Sequence, residues 1–86
     1  MQIREELRRF VVEEFLFGRN GDLKDGDSFL EAGIIDSTGV LELIAFIEKH
    51  FAIKVRDSDL IPDNLDSIQK VTDFVRRRLN ADAVEA

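Results

Sequence analysis

The sequence predicts an all-α protein, a small four-helix bundle made of three main helices and one short helix. Along three segments the apolar residues recur at intervals of three and four, which is the spacing of one face of an α-helix. No segment alternates for long enough to form a strand with a partner strand. A chain of 86 residues supports one small core, so we expect residues 1–86 to form a single domain.

The first helix is predicted from an apolar stripe near the N-terminus, and Gly18 is expected to end it. A loop rich in Gly, Asp and Asn follows over residues 19–33, with Phe29 and Leu30 as its expected anchors to the core. The stripe of the first helix comprises Ile3, Leu7, Phe10, Val11, Phe15 and Leu16.

The second helix is predicted to open at Asp36 and Ser37, because both residue types are good helix caps. Residues 53–55 alternate like a strand, but so short a segment without a partner is better interpreted as an extended connection. The apolar stripe of this helix is assigned to Val40, Leu41, Ile44, Ile47 and Phe51.

The C-terminal third is predicted to hold one short helix and the last main helix. One helical turn is expected over residues 57–60, with Pro62 ending it and Asp66 or Ser67 capping the next helix. Residues 80–86 are expected to fray as a tail. The stripe of the last helix comprises Ile68, Val71, Phe74, Val75 and Leu79.

Composition narrows the function classes. With 44% hydrophobic and 35% charged residues the chain suits a folded domain, yet its size leaves little room for a deep active site. The net charge of −6 disfavours nucleic acid and favours protein partners. There is no cysteine, the N-terminus is charged, and no apolar run could span a bilayer, so we expect a cytoplasmic protein without membrane association.

The most informative segment covers residues 33–43, where a glycine and two apolar residues lead into Asp36 and Ser37. A serine at a helix N-terminus exposes its hydroxyl, and the unpaired N–H groups of the first turn favour a phosphate attached there. The alternative for either residue is a simple helix cap.

This segment resembles the attachment motif of the acyl carrier and peptidyl carrier protein family, in which a glycine and a hydrophobic pair precede Asp-Ser. The similarity continues through residues 51–55 and 63–68. It implies an acyl-carrier-protein-like bundle with a covalent 4′-phosphopantetheine arm, taken from coenzyme A, on Ser37. Asp36 would help present Ser37 to the transferase. Thr38 and Gly39 depart from the family, whose members usually carry Leu or Met after the serine.

The resemblance implies a carrier that is not itself an enzyme. It would hold an acyl or aminoacyl group as a thioester and deliver it in fatty acid, polyketide, nonribosomal peptide or related biosynthesis. The implied partners are a phosphopantetheinyl transferase, an adenylating acyl- or aminoacyl-ligase and downstream acyl-processing enzymes, and we expect a monomer. Because Lys49 and His50 close a second helix with few acids, a stand-alone carrier loaded by its own ligase is favoured.

Partner contact in this family is carried by the second helix and the loop before it. For Leu41, packing in the core is an equally good interpretation. For Glu42 and Glu48, a position on a solvent-exposed helix face is an equally good interpretation. The recognition candidates that transfer to this chain are Ile35, Thr38, Val40, Leu41, Glu42 and Glu48.

Other interpretations are less well supported. The acidic loop from Asn20 to Glu31 matches an EF-hand poorly, because Lys24 takes a ligand position, and no metal site is predicted. A serine hydrolase would need a base near Ser37, and the single histidine, His50, lies far along the same helix. The competing class is an unmodified helical interaction domain, and a DNA-binding helix-turn-helix ranks third because the chain is acidic.

Overall fold

Helices form the regular secondary structure of this protein, for which a computed structural model describes residues 2–16 and 23–85, with backbone alone over 81–85. No strand occurs in these ranges, so the all-α prediction of three main helices and one short helix is confirmed. The helices are α1 (Ile3–Phe15), α2 (Ser37–Phe51), α3 (Pro62–Leu65) and α4 (Ile68–Glu85), with a 3₁₀ turn at Asp57–Asp59.

The core forms where α1, α2 and α4 bring their apolar faces together, and α1 and α3 both pack on α4. The predicted stripes of the first and last helices are confirmed by burial of their central residues, while Phe10, Phe15 and Leu79 are partly buried against them. Leu16, which the prediction placed in the first stripe, is instead the C-cap residue that follows α1. The buried residues of these two helices are Ile3, Leu7, Val11, Ile68, Val71, Phe74 and Val75.

The predicted stripe of α2 is wrong at one position. Leu41 is 63% exposed, whereas Leu43, which the stripe omitted, is fully buried. Gly39, Leu43 and Ile47 face the core because residues four apart stack on one side of a helix. The alternative of core packing for Leu41 is therefore excluded.

The connection after α2 is extended, as predicted. Ile53 is buried, and Val55 packs against the core from a half-buried position. The N–H group of Val55 donates to the Glu48 carboxylate at 2.9 Å, which fastens the connection to the helix it leaves.

One feature of the C-terminal third differs from the prediction. Pro62 does not end a helix but begins α3, since the first helical position needs no N–H donor. Of the two cap candidates, Ser67 caps α4, because its hydroxyl accepts from the Lys70 N–H at 3.0 Å. The backbone of α4 is helical to Glu85, beyond the last stripe residue, and fraying of residues 80–86 stays a prediction.

The long loop is held to the α3–α4 corner by Asp66. The Phe29 N–H donates to the Asp66 carbonyl at 2.8 Å, and the Leu30 N–H donates to the Asp66 carboxylate at 3.0 Å. The Ser28 hydroxyl donates to the same carboxylate. Phe29 is a core anchor as predicted, but Leu30 is not, because it is 53% exposed. The predicted end of the first helix at Gly18 lies outside the described residues.

Substituting Leu43→Ala and Leu41→Ala tests the corrected α2 stripe with two identical changes on one helix. We expect Leu43→Ala to lower the free energy of unfolding by about 2–5 kcal/mol, because it empties a buried site. Leu41→Ala removes an exposed side chain and should change it by less than about 0.5 kcal/mol. Urea unfolding followed by circular dichroism measures both, and equal losses would contradict the assignment.

Candidate functional site

The start of α2 is set by Asp36, the residue before the first helical turn. Its backbone is extended, and its carboxylate Oδ1 accepts from the Gly39 N–H at 2.7 Å. Its carbonyl accepts from the Val40 N–H at 3.0 Å. Asp36 is thus the N-cap, and Ser37 is the first residue of the helix rather than its cap.

Ser37 is exposed, and its hydroxyl makes no hydrogen bond with the residues that the structure describes. The single histidine cannot act as a base for Ser37, because His50 lies at the other end of α2. Its Nε2 pairs with Oε1 of Glu6 at 3.1 Å. Without a histidine to activate it, the hydroxyl is suited to modification by another enzyme that supplies the base.

Gly39 lets α1 approach the first turn of α2 closely. A Cβ atom at this buried position would lie 2.9 Å from Cε1 of Phe15, 3.1 Å from Cγ2 of Ile35 and 3.3 Å from Oδ1 of Asp36. The absence of a side chain therefore serves packing, which accounts for a weak helix former in the first turn.

A set of stacked rings lines the α1–α2 interface on the side away from Ser37. The rings of Phe10 and Phe46 stack with centroids 4.1 Å apart, and His50 stacks on Phe46 at 4.9 Å. The ring of Phe15 meets Phe10 edge to face at 5.9 Å. This contact links the ring that packs on Gly39 to the rest of the interface.

The segment before α2 forms a turn that is closed by a hydrogen bond to the Phe29 carbonyl. The Phe29 carbonyl accepts from the Ile34 N–H at 2.9 Å, and Gly33 takes a left-handed conformation with φ of 68°. A glycine is favoured there because a side chain is strained at positive φ. The turn places Ile34 and Ile35 directly before the cap residue.

An open apolar cleft of about 240 Å³ lies beside Ser37, between the loop, the start of α2 and α3. Among the described residues, four large hydrophobic side chains remain exposed, and three of them, Leu30, Leu60 and Ile61, line this cleft. The complete lining is Phe29, Leu30, Ile35, Ser37, Val40, Leu60, Ile61, Pro62, Leu65 and Asp66.

The structure separates the recognition candidates into three groups. Thr38, Leu41 and Glu42 are exposed on α2 near Ser37. Val40 is half-buried and Ile35 is 1% exposed, so these two reach the surface only as part of the cleft lining. Glu48 is half-buried and accepts the Val55 N–H, so its carboxylate already has an intramolecular partner.

Sequence reasoning missed the side of the cleft that faces α2. Leu60 and Ile61 are 42% and 45% exposed, and Leu65 lies beneath them in the core. Two adjacent apolar residues before a proline, inside an otherwise acidic segment, were the available signal.

The described residues hold no cluster of side chains that could bind a metal ion. Within the acidic loop, the Asp25 carboxylate pairs with Arg8 and Arg4, and the Asp27 carboxylate accepts the Lys24 N–H at 2.9 Å. These carboxylates are thus engaged inside the protein. No helix in the described part of the chain is long and apolar enough to cross a membrane.

A family model and curated relatives agree on one family, and solved structures show the same fold. A family model described as a phosphopantetheine attachment site matches residues 3–75. A D-alanyl carrier protein of Streptococcus mutans is 32% identical over 94% of this chain and 100% of its own length. The solution structure of a holo acyl carrier protein from Nitrosomonas europaea has a TM-score of 0.75 at 24% identity, covering 93% of this chain and 99% of that one. An acyl carrier protein from Thermotoga maritima has a TM-score of 0.64 at 25% identity, covering 93% and 94%.

Gly39→Ala tests whether the glycine is kept for packing. Alanine favours the helix by about 1 kcal/mol, but crowding in a packed site costs about 1–3 kcal/mol. We expect a net loss of about 1 kcal/mol in the free energy of unfolding, and no loss for the neighbouring exposed Thr38→Ala.

A double-mutant cycle assigns that loss to the ring of Phe15. In a Phe15→Leu background we expect Gly39→Ala to cost less, because the ring edge nearest the new methyl group is gone. A stabilising effect of Gly39→Ala in both backgrounds would show that the contact imposes no constraint.

Proposed function

The chain belongs to the carrier-protein family defined by a phosphopantetheine attachment site, and on that premise we propose that Ser37 carries the arm and that the arm holds an aminoacyl group. Proteins of this family are carriers rather than catalysts, and 4′-phosphopantetheine is their covalent cofactor. The thiol at the end of the arm supplies the chemistry, because it forms the thioester with the cargo. The protein supplies attachment, tethering and recognition.

The position of Ser37 is the observation that carries this proposal. Its hydroxyl is exposed at the first residue of a 15-residue helix, and Asp36 has already taken the capping role. The positive end of the helix dipole favours a phosphodiester at this point. The residues present thus fit the cofactor.

Asp36 supports presentation of the serine in two ways. One carboxylate oxygen, Oδ1, fixes the first turn through the Gly39 N–H. The other oxygen has no partner among the described residues and remains open to a metal ion held by the transferase. We assign Asp36 to presentation and Ser37 to attachment.

The relatives favour an aminoacyl cargo over a long acyl chain. Several curated relatives, all streptococcal, are D-alanyl carrier proteins, and one of them is 38% identical over 70% of this chain. We propose a small amino acid such as D-alanine as the cargo, loaded by an adenylating ligase. We also propose that the protein is a monomer and works in the cytoplasm, where ATP is available to the ligase.

Partner recognition is assigned to the exposed residues of α2 that flank Ser37. Leu41 is the most exposed large hydrophobic side chain among the described residues, and Glu42 lies next to it. An exposed leucine beside a carboxylate suits a partner surface with an apolar contact and a basic rim. Thr38, Leu41 and Glu42 form the recognition surface that we propose.

The attachment is tested by the intact mass after incubation with coenzyme A and a broad-specificity phosphopantetheinyl transferase. We expect one arm on the wild type and on Ser58→Ala, which removes an exposed serine hydroxyl outside α2, and none on Ser37→Ala, which should fold normally because its hydroxyl has no intramolecular partner. An unmodified wild type, with a control carrier modified in parallel, would instead support the unmodified interaction domain.

The recognition surface is tested on the holo protein with its adenylating ligase, D-alanine and ATP. Leu41→Ala should reduce kcat/KM for loading by about fivefold or more, chiefly through KM, since such contacts are worth more than about 1 kcal/mol at an interface centre. Glu42→Gln should weaken the salt dependence of loading. Lys54→Ala, exposed and beyond α2, is the matched control and should leave both quantities unchanged.

A further inference from the structure

We propose that the cleft beside Ser37 binds the arm itself, through the pantoyl segment that carries two geminal methyl groups, while the arm is unloaded. This inference rests on the proposed attachment at Ser37. It assigns Leu30, Leu60 and Ile61 to the cofactor rather than to the cargo or to a partner enzyme.

The exposed apolar surface of the described residues is concentrated at this cleft. Leu30, Leu60 and Ile61 are 53%, 42% and 45% exposed, and all three surround the same cleft of about 240 Å³. Small soluble proteins rarely leave a contiguous apolar surface open unless it binds something. Leu41, the remaining exposed leucine among the described residues, is not part of the cleft lining.

An arm attached to Ser37 can reach the cleft through its first few bonds. Ser37 is itself part of the cleft lining, so a group attached to its hydroxyl begins at the edge of the cleft. In phosphopantetheine the pantoyl unit directly follows the phosphate, and its two methyl groups are only a few bonds from the attachment point. The thiol and any cargo are at the far end of the arm. The apolar group nearest the anchor therefore meets the cleft first.

The lining of the cleft is almost entirely apolar. Besides Ser37, the one polar residue of the lining is Asp66, whose carboxylate already accepts from the Ser28 hydroxyl and the Leu30 N–H. The other eight residues of the lining are hydrophobic, so the cleft is suited mainly to an apolar group. A pair of methyl groups matches this surface better than a charged ammonium group does.

Tethering makes even weak binding effective. A group on a short flexible tether has an effective concentration of about millimolar, so a site with a dissociation constant in that range is about half filled. Binding of the pantoyl segment shortens the reach of the thiol until the segment leaves the cleft.

Isotope-filtered NMR of the holo protein tests this inference. With labelled protein and an unlabelled arm, we expect nuclear Overhauser effects from the geminal methyl protons to the methyl groups of Leu30, Leu60 and Ile61. Ile61→Ser should reduce these signals strongly, and Lys54→Ser, a change at an exposed site outside both the cleft and the recognition surface, should leave them unchanged. Amide spectra of both variants check that the fold is intact.

The outcomes separate this inference from the proposed function. A mass that shows no arm on Ser37 overturns both. An arm of correct mass whose geminal methyl protons contact only Ser37 and Thr38 overturns the inference and leaves the carrier function in place. Contacts in the cleft that arise only after loading, and come from the cargo, would assign the cleft to the cargo instead.

Discussion

One hydrogen bond, from the Gly39 N–H to the Asp36 carboxylate, determines how this protein presents its serine. Because Asp36 takes the capping position, Ser37 enters the helix as its first residue, with a hydroxyl that has no other task among the described residues. The same glycine admits the ring of Phe15 against the first turn. The cap, the packing of α1 and the presentation of Ser37 therefore meet within four residues, and a change in one of them affects the other two.

The helices could be predicted from local sequence patterns, whereas the face that α2 buries could not. Val40, Leu41, Leu43 and Ile44 are all apolar, so spacing alone permits two overlapping stripes. Packing against α1 and α4 selects the face of Gly39, Leu43 and Ile47 and leaves Leu41 in solvent. Pro62 was equally ambiguous, because a proline can follow the end of one helix or begin another.

The candidate site was likewise predictable only in part. Ser37 and Asp36 could be identified from a contiguous motif, and their geometry depends on neighbours within one helical turn. The cleft could not be identified, because its walls come from residues near 30, 40 and 60. Asp66 joins the wall near residue 30 to the wall near residue 60 through hydrogen bonds to Ser28, Phe29 and Leu30. No sequence pattern indicates such long-range pairing.

The adjacency of Ser37 and Thr38 gives the protein two exposed hydroxyl side chains in succession. Consecutive residues of an α-helix point about 100° apart around its axis. Only Ser37 borders the cleft, so an arm placed one residue later would project away from it. Under the proposed attachment, the choice of hydroxyl therefore sets the direction of the arm, and a shift of a single residue would carry the thiol away from the cleft.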